Sequence, residues 1–153
     1  MIEVKGDLWT FHEWGQPVVV PTNGSVNARG ECVMGRGVAL QAARKFPSLA
    51  RDLGARIRLT DDLRVLRFIQ LNLFAFPVKF HWREPADLVL IERSAAQLAM
   101  ILDDLAENGA DVPHPVYLPR VGCGNGRLLW KNVRPVLVRH LDDRFTVVQL
   151  EMP

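Results

Sequence analysis

Residues 122–127 read Gly-Cys-Gly-Asn-Gly-Arg, after the apolar run Val116-Tyr117-Leu118 and before a segment of helical spacing from Asn132 to Leu141. A bland strand-to-helix turn needs one or two residues of this kind. Three glycines in five residues exceed that need, and they let backbone N–H groups converge on an anion. Three standard templates do not apply. A Walker loop requires Gly-Lys-Ser/Thr further on, and a dinucleotide fingerprint requires G-x-G-x-x-G rather than G-x-G-x-G. A thiol phosphatase of the Cys-x5-Arg kind requires arginine where Leu129 stands. The loop is expected to cradle phosphate in a less common way.

A chain of 153 residues, 48% hydrophobic and 24% charged, has the length of one domain, and it can bury a core without disulfides or metal. A single domain over 1–153 is expected. No apolar run reaches membrane-spanning length, and Met1 to Asp7 carries no signal-peptide core. Cys32 and Cys123 lie in separate glycine-rich stretches. They read as free thiols of a cytoplasmic protein, and neither has a second Cys or His at zinc-ligand spacing. A net charge of +2 is too small to establish a nucleic-acid partner. Arginine outnumbers lysine 15 to 4, so a lysine at a special position carries information. A monomer with no metal and no cofactor is expected.

Strands are predicted at 2–5, over Val18-Val19-Val20 up to Pro21, twice within Val65–Phe76 with Asn72 at the turn, at 116–118, and at Phe145–Leu150. Trp9, Phe11 and Trp14 are expected to cover an edge of the core. Residues 21–37 hold Pro, Thr, two Asn, Ser and four Gly and form a long loop, a length usually functional in a compact domain. Helical spacing starts at Val38, and Pro47 opens a short helix ended by Gly54. The clearest helix opens at Pro85, with Leu88, Ile91, Ala95, Leu98, Leu102 and Leu105 on one face and Gly109 at its end. Asn132 is placed as the cap of the last helix, with Pro135 in the first turn. Mixed strands and helices imply an α/β fold, a mixed sheet between helical layers, with ligands at the carboxyl ends of the central strands.

Several residues could carry chemistry there. Val33-Met34-Gly35-Arg36-Gly37-Val38-Ala39-Leu40-Gln41 holds two glycines before a helix, a second anion cradle or a simple helix lead-in. Two such loops favour a ligand with two phosphates. Asn23 and Asn27 suit sugar hydroxyls, though a lone Asn more often closes a turn. Asp7 suits an exocyclic amine, or caps a turn. Lys79 ends a strand between aromatics, where partial burial would lower its pKa and make it a base or nucleophile; the alternative is a lysine whose stem packs on Phe80 or Trp82. His81 is more often structural in such a place. Arg51, Arg56, Arg58, Arg64 and Arg67 could track phosphates, but Asp52, Asp61 and Asp62 make a solvated charged face the simpler reading.

These pieces together resemble a macrodomain, the three-layer α/β/α fold that binds ADP-ribose. The resemblance covers nearly the whole chain. Val4-Lys5-Gly6-Asp7-Leu8 is similar to the opening Gly-Asp-Ile of macrodomains, and Val20-Pro21-Thr22-Asn23 stands where the family has Asn-Ala-Ala-Asn, with only Asn23 retained. Met34-Gly35-Arg36-Gly37-Val38-Ala39-Leu40-Gln41 and Phe76-Pro77-Val78-Lys79-Phe80-His81-Trp82-Arg83 resemble the matching runs of the DarG branch. Leu118-Pro119-Arg120-Val121-Gly122-Cys123-Gly124, with Trp130 and Val133, is similar to that branch and to its animal relative, the terminal ADP-ribose protein glycohydrolase. Each motif is weak alone; four in the right order are specific.

The resemblance implies an ADP-ribosyl hydrolase that needs no metal and removes ADP-ribose from a nucleobase such as thymidine in single-stranded DNA, as DarG-like domains do against a DarT-type toxin. It implies that Asp7 meets the adenine amine with the Leu8 N–H nearby, and that Asn23 reaches the distal ribose. Met34, Gly35, Arg36, Gly37 and Val38, together with Gly122, Cys123, Gly124, Asn125, Gly126, Arg127 and Leu128, would hold the diphosphate and distal ribose. Lys79 would be catalytic near the anomeric carbon. Gly126 stands where the animal glycohydrolase has a catalytic Asp, so a mechanism needing both residues is not expected. DarG carries a second, toxin-binding domain, and this chain ends at Pro153, so neutralisation by direct toxin binding is not expected from this chain alone. The alternatives are a non-catalytic ADP-ribose reader, a hydrolase of free ADP-ribose derivatives such as the 1″-phosphate, or one acting on protein-linked ADP-ribose.

Overall fold

The computed structural model describes residues 1–60 and 62–150. Six strands, β1 (Ile2–Lys5), β2 (Val18–Asn23), β3 (Leu66–Phe68), β4 (Leu73–Lys79), β5 (Val116–Leu118) and β6 (Phe145–Gln149), form one sheet in the order β1-β6-β5-β2-β4-β3. Every neighbouring pair is parallel except β3–β4, so the sheet is mixed, with its antiparallel strand at one edge. Five helices cover it: α1 (Leu8–Glu13), α2 (Gly37–Lys45), α3 (Leu49–Leu59), α4 (Leu88–Glu107) and α5 (Trp130–Val138).

Alternation along the strands decides which layer each helix joins. Val19, Phe74, Phe76 and Val78 point to one face and pack with Ile91, Ala95 and Leu98 of α4 and Val133 and Leu137 of α5. Val18, Val20, Leu73 and Ala75 point to the other, against Leu8 and Trp9 of α1, Ala42 of α2 and Leu49 and Leu53 of α3. The result is the three-layer α/β/α arrangement the element order predicts.

Five boundaries differ from the sequence reading. Trp9 and Phe11 lie in a helix, α1, whose cap is Asp7: its Oδ1 accepts the Trp9 N–H at 2.8 Å. β2 runs past Pro21 to Asn23, so the long loop begins at Gly24. Gly54 does not end α3, which continues to Leu59. It is a point of close approach, where a Cβ would overlap the Gly30 carbonyl oxygen and lie 2.9 Å from the Cys32 nitrogen. α5 starts at Trp130 with Leu129 as its cap; Asn132 therefore sits in its first turn and Pro135 in its interior. The long helix also begins a few residues after Pro85, at Leu88, with Asp87 capping it through the N–H groups of Val89 and Leu90. Asn72 does make the predicted turn, in the left-handed region at φ 54°.

Candidate functional site

The carboxyl ends of β1, β2, β4 and β5 deliver Gly6-Asp7, Asn23, Lys79 and the 119–128 loop to the same rim. The two glycine stretches meet there. A Cβ on Gly37 would come within 3.0 Å of the Asn125 side-chain nitrogen, so the 35–38 and 122–128 loops face each other across the rim. Gly37 itself has φ 58°, a conformation other L-residues rarely adopt.

Internal hydrogen bonds fix the 122–128 loop. The N–H groups of Cys123, Arg127 and Leu128 donate to the carbonyls of Arg120, Gly124 and Gly122 at 3.2, 3.1 and 3.0 Å. The Gly126 carbonyl accepts from Ala86 at 2.8 Å, which ties the loop to the lead-in of α4. Among the described residues, the N–H groups of Gly124, Asn125 and Gly126 have no internal acceptor, nor do those of Gly37 and Val38, which open α2. Two sets of unpaired donors, one at a helix start, are what an anion needs. Arg127 holds φ 64° without being glycine, a position that fixes where its guanidinium emerges.

Lys79 lies between the two loops electrostatically. Partial burial, then Arg127, then Arg36 lower its pKa from the usual lysine value. Arg127 belongs to one glycine loop and Arg36 to the other, so three cations share one field. The amine donates to the Trp82 carbonyl at 3.2 Å. A cluster of like charges is unfavourable alone and favours a bound polyanion.

The remaining expected residues fall into distinct places. Asp7 is exposed, and its Oδ1 caps α1; Leu8 follows as a buried residue. Asn23 is 8% exposed; its amide donates to the Val33 carbonyl and its oxygen accepts the Ser25 N–H, both at 2.9 Å. It closes the base of the long loop, the role a lone Asn most often has. Asn27 does the same further out, accepting from Arg29 and Glu31. The Met34 side chain is buried with the α1–α3 layer, so Gly35, Arg36 and Gly37 are the exposed part of that cradle. Cys123 packs against the α4/α5 core with its thiol pKa raised by burial, and burial pushes the Cys32 thiol up to about 12. Neither thiol is poised as a nucleophile at neutral pH. The arginine run splits up: Arg56 covers the Phe68 ring at 4.7 Å, Arg58 donates to the Asn27 carbonyl, and Arg64 pairs with Asp62 at 2.9 Å.

Sequence reasoning missed Ser25 and Ser94. Ser25 Oγ accepts the Trp82 N–H at 3.0 Å, and Ser94, fully buried on α4, donates to the Pro77 carbonyl at 2.7 Å. A serine on the apolar face of the α4 pattern was the available signal for the second. Among the described residues, no group of three or more His, Cys, Asp or Glu could hold a metal ion, and no helix is long and apolar enough to cross a membrane.

No family model matches the chain. It is 32% identical over 122 residues to a Mycobacterium tuberculosis protein named DNA ADP-ribosyl glycohydrolase, a match covering 74% of this chain and 32% of the relative. A protein of the same name from Thermus aquaticus is 34% identical over 122 residues, covering 72% and 31%. The chain thus spans about a third of the length of the curated relatives it matches. Among solved structures, the macrodomain of M. tuberculosis DarG superposes with a TM-score of 0.75 at 26% identity, over 99% of this chain and 97% of that one. The macrodomain of T. aquaticus DarG gives 0.72 at 26% identity, with the same coverage. Thermosipho africanus DarTG in complex with ADP-ribose gives 0.72 at 22%, over 98% of this chain and 41% of that one.

Proposed function

Because the chain is a macrodomain of the DarG-like type, we propose that it hydrolyses ADP-ribose from a nucleobase, most simply thymidine in single-stranded DNA. The observation that carries this reading is the position of Lys79. It ends β4 at the rim, and beside its partial burial the charges of Arg127 and Arg36, from two glycine loops that face each other, lower its pKa.

The diphosphate lies between those loops, on the open N–H groups and the two guanidinium groups. That contact orients the distal ribose toward Lys79. The Asp7 carboxylate accepts the adenine amine with its uncapped oxygen, beside the Leu8 N–H, and Asn23 supports the distal ribose from the floor of the site. In its neutral form Lys79 takes a proton from a ribose hydroxyl or attacks the anomeric carbon. Either route needs the free amine, and burial and neighbouring arginines raise its share at a given pH. The glycosidic bond breaks with its electron pair going to the base, which takes up a proton. Water then adds to the anomeric carbon, displacing the amine where Lys79 had attacked, and gives up a proton to restore the balance. Loop N–H groups offset the charge that shifts along the phosphate-linked ribose. A Gly126 that leaves no space for a carboxylate makes a lysine–aspartate pair unavailable, so Lys79 acts without it.

The chain is proposed to act as a monomer and a single domain; its two free thiols suit a reducing cytoplasm. The test is release of ADP-ribose from an ADP-ribosylated single-stranded oligodeoxynucleotide by the wild-type chain and Lys79→Ala. Turnover by the wild type and its loss in the folded variant support the reading. Undiminished turnover in Lys79→Ala overturns the mechanism, and calorimetric binding of ADP-ribose with no turnover of any linkage makes the domain a reader instead.

A further inference from the structure

The chemistry above leaves unused the segment that directly follows Lys79 and the hollow beside it. Phe80, His81, Trp82 and Arg83 are all exposed, Phe80 by 51% and Trp82 by 43%. Neither aromatic belongs to either core cluster, so the fold does not account for them. The segment is nevertheless pinned. The Trp82 N–H donates to Ser25 Oγ at 3.0 Å, the Arg83 N–H to His81 Nδ1 at 3.2 Å, and the Glu84 N–H to the His81 carbonyl at 3.1 Å. The imidazole and indole rings stack at 6.0 Å and 25°, and the Arg83 guanidinium lies 4.9 Å from the indole centroid. This stack hangs on the reactive amine, since the Trp82 carbonyl accepts from Lys79 Nζ.

On its other side Phe80 forms one wall of a cavity of 370 Å³. Leu53, Ile57, Leu63 and Pro77 make its apolar lining, and Arg56 together with Arg64 and its ion-pair partner Asp62 make its charged edge. That volume is at the small end of the roughly 300–1,000 Å³ of ligand pockets, a size for one flat group rather than a whole ligand. The glycine loops contribute nothing to it. Phe80 directly follows Lys79 and the Trp82 carbonyl accepts from its amine, so the cavity and the indole flank the lysine on ground that the glycine loops do not line.

We infer that Phe80–Arg83 and the cavity behind Phe80 form the seat of the acceptor strand, in which one unpaired nucleobase enters the cavity while its neighbour stacks on Trp82. Flat π-faces flanked by guanidinium groups suit unpaired bases and the phosphates between them. A duplex keeps its bases stacked and cannot fill the cavity without unstacking one. The inference rests on the ADP-ribosyl hydrolase reading for its biological sense, but its contacts are separate from the ADP-ribose cradle.

The experiment is fluorescence anisotropy of an unmodified single-stranded oligodeoxynucleotide and of its duplex with the full chain, alongside calorimetry with free ADP-ribose. The variants are Phe80→Ala and Trp82→Ala, which remove a stacking face, and Leu63→Trp, which fills the cavity. The expected result is single-strand binding that falls about tenfold or more in each variant, weaker duplex binding, and unchanged affinity for ADP-ribose, which also reports that each variant is folded. Single-strand binding that none of the three variants alters overturns the inference, as does equal affinity for the duplex or no strand binding by a chain that binds ADP-ribose. Strand binding with the expected variant pattern but no ADP-ribose binding leaves the seat standing and removes the hydrolase reading.

Discussion

Asn23 of β2 stands opposite Lys79 of β4 because the ladder slips by one residue just before them. Below the slip Thr22 pairs with Pro77, so Val78 is the extra residue on β4. Such a bulge re-aims the side chain that follows it. Val78 stays buried, and its carbonyl accepts the Asp87 N–H at 2.8 Å. Ser94 holds the Pro77 carbonyl from α4, and the Gly24 N–H takes the Lys79 carbonyl at 3.2 Å. The lysine is thus set on a rigid strand end, with its backbone satisfied and its amine left at the rim.

Lys79→Ala should therefore act on rate rather than on fold. Loss of one proton-transfer group lowers turnover by about 10²–10⁴-fold, while ADP-ribose binding by calorimetry and the thermal midpoint stay close to wild type. If turnover and midpoint fall together, the lysine is structural.

The pH profile follows from the cause of the lysine shift. In the unfolded chain the amine has its ordinary value of 10.5, and in the folded state burial, Arg127 and Arg36 lower it. Between the two values the unfolded state holds more protons, so this group's contribution to stability rises with pH and is lost as pH falls through the folded value. The free amine gains in the same direction. Turnover should rise with pH with a midpoint below 10.5. Arg127→Gly keeps the left-handed backbone accessible while removing the charge, and should move that midpoint upward more than Arg36→Gln does. A midpoint that neither variant shifts would separate the rate-limiting group from Lys79.

Much of the site was legible because its chemistry is local. Glycine clusters beside helix starts, a rare lysine after an apolar strand and an aspartate after the first strand are readable without coordinates. The bulge at Val78 was not, since nothing in Phe-Pro-Val-Lys says which partner residue lies opposite. Asn23 was readable as either a turn former or a sugar reader; its bonds to Val33 and Ser25 show the first use, and the second is the one proposed above. Gly54 misled for a general reason. A glycine at a helix end and a glycine under a crossing backbone look alike in sequence, and only the loop at 30–32 passing over it distinguishes them. The layers were legible because alternation in β2 and β4 assigns each apolar side chain to a face; the start of α5 was not, because Leu129 caps it without a side-chain hydrogen bond.

Asn23→Ala should cost stability as well as site geometry. The Val33 carbonyl and Ser25 N–H would lose their partners in a nearly buried place, which costs about 1–3 kcal/mol per group left unsatisfied. Urea unfolding should show a lower midpoint, and proteolysis should open the 24–36 loop first. Unchanged unfolding would mean that water replaces the amide there, and that the loop does not depend on it.

Cys123 should prove dispensable. It sits in the glycine loop, where a catalytic thiol would be sought, yet burial raises its pKa, and its thiol lies 3.6 Å from the Val121 carbonyl. Cys123→Ala should retain turnover within a few-fold. In the wild type, Cys32 should resist alkylation at pH 8, because a thiol titrating near 12 is almost wholly protonated there. Rapid inactivation by a thiol reagent that Cys123→Ala prevents, without steric bulk as the cause, would return this residue to the chemistry.

Gly126→Asp tests whether the loop can accept the carboxylate that a related glycohydrolase uses. The backbone leaves it no room. A Cβ at 126 would overlap the Gly122 carbonyl and lie 2.8 Å from Ala86 Cβ, and both neighbours are fixed, Gly122 by its bond to Leu128 and residue 86 by its bond to the Gly126 carbonyl. Overpacking of this kind costs about 1–3 kcal/mol, and relief requires the loop to move away from α4. Gly126→Ala should show that cost alone, as a lower unfolding midpoint and weaker ADP-ribose binding. Gly126→Asp adds a negative charge beside the proposed diphosphate, so its binding should fall further than that of Gly126→Ala, and more at low salt than at high salt. A Gly126→Asp protein with wild-type stability and faster turnover would show that the loop can adopt the other geometry, and that Lys79 works better with an acid beside it.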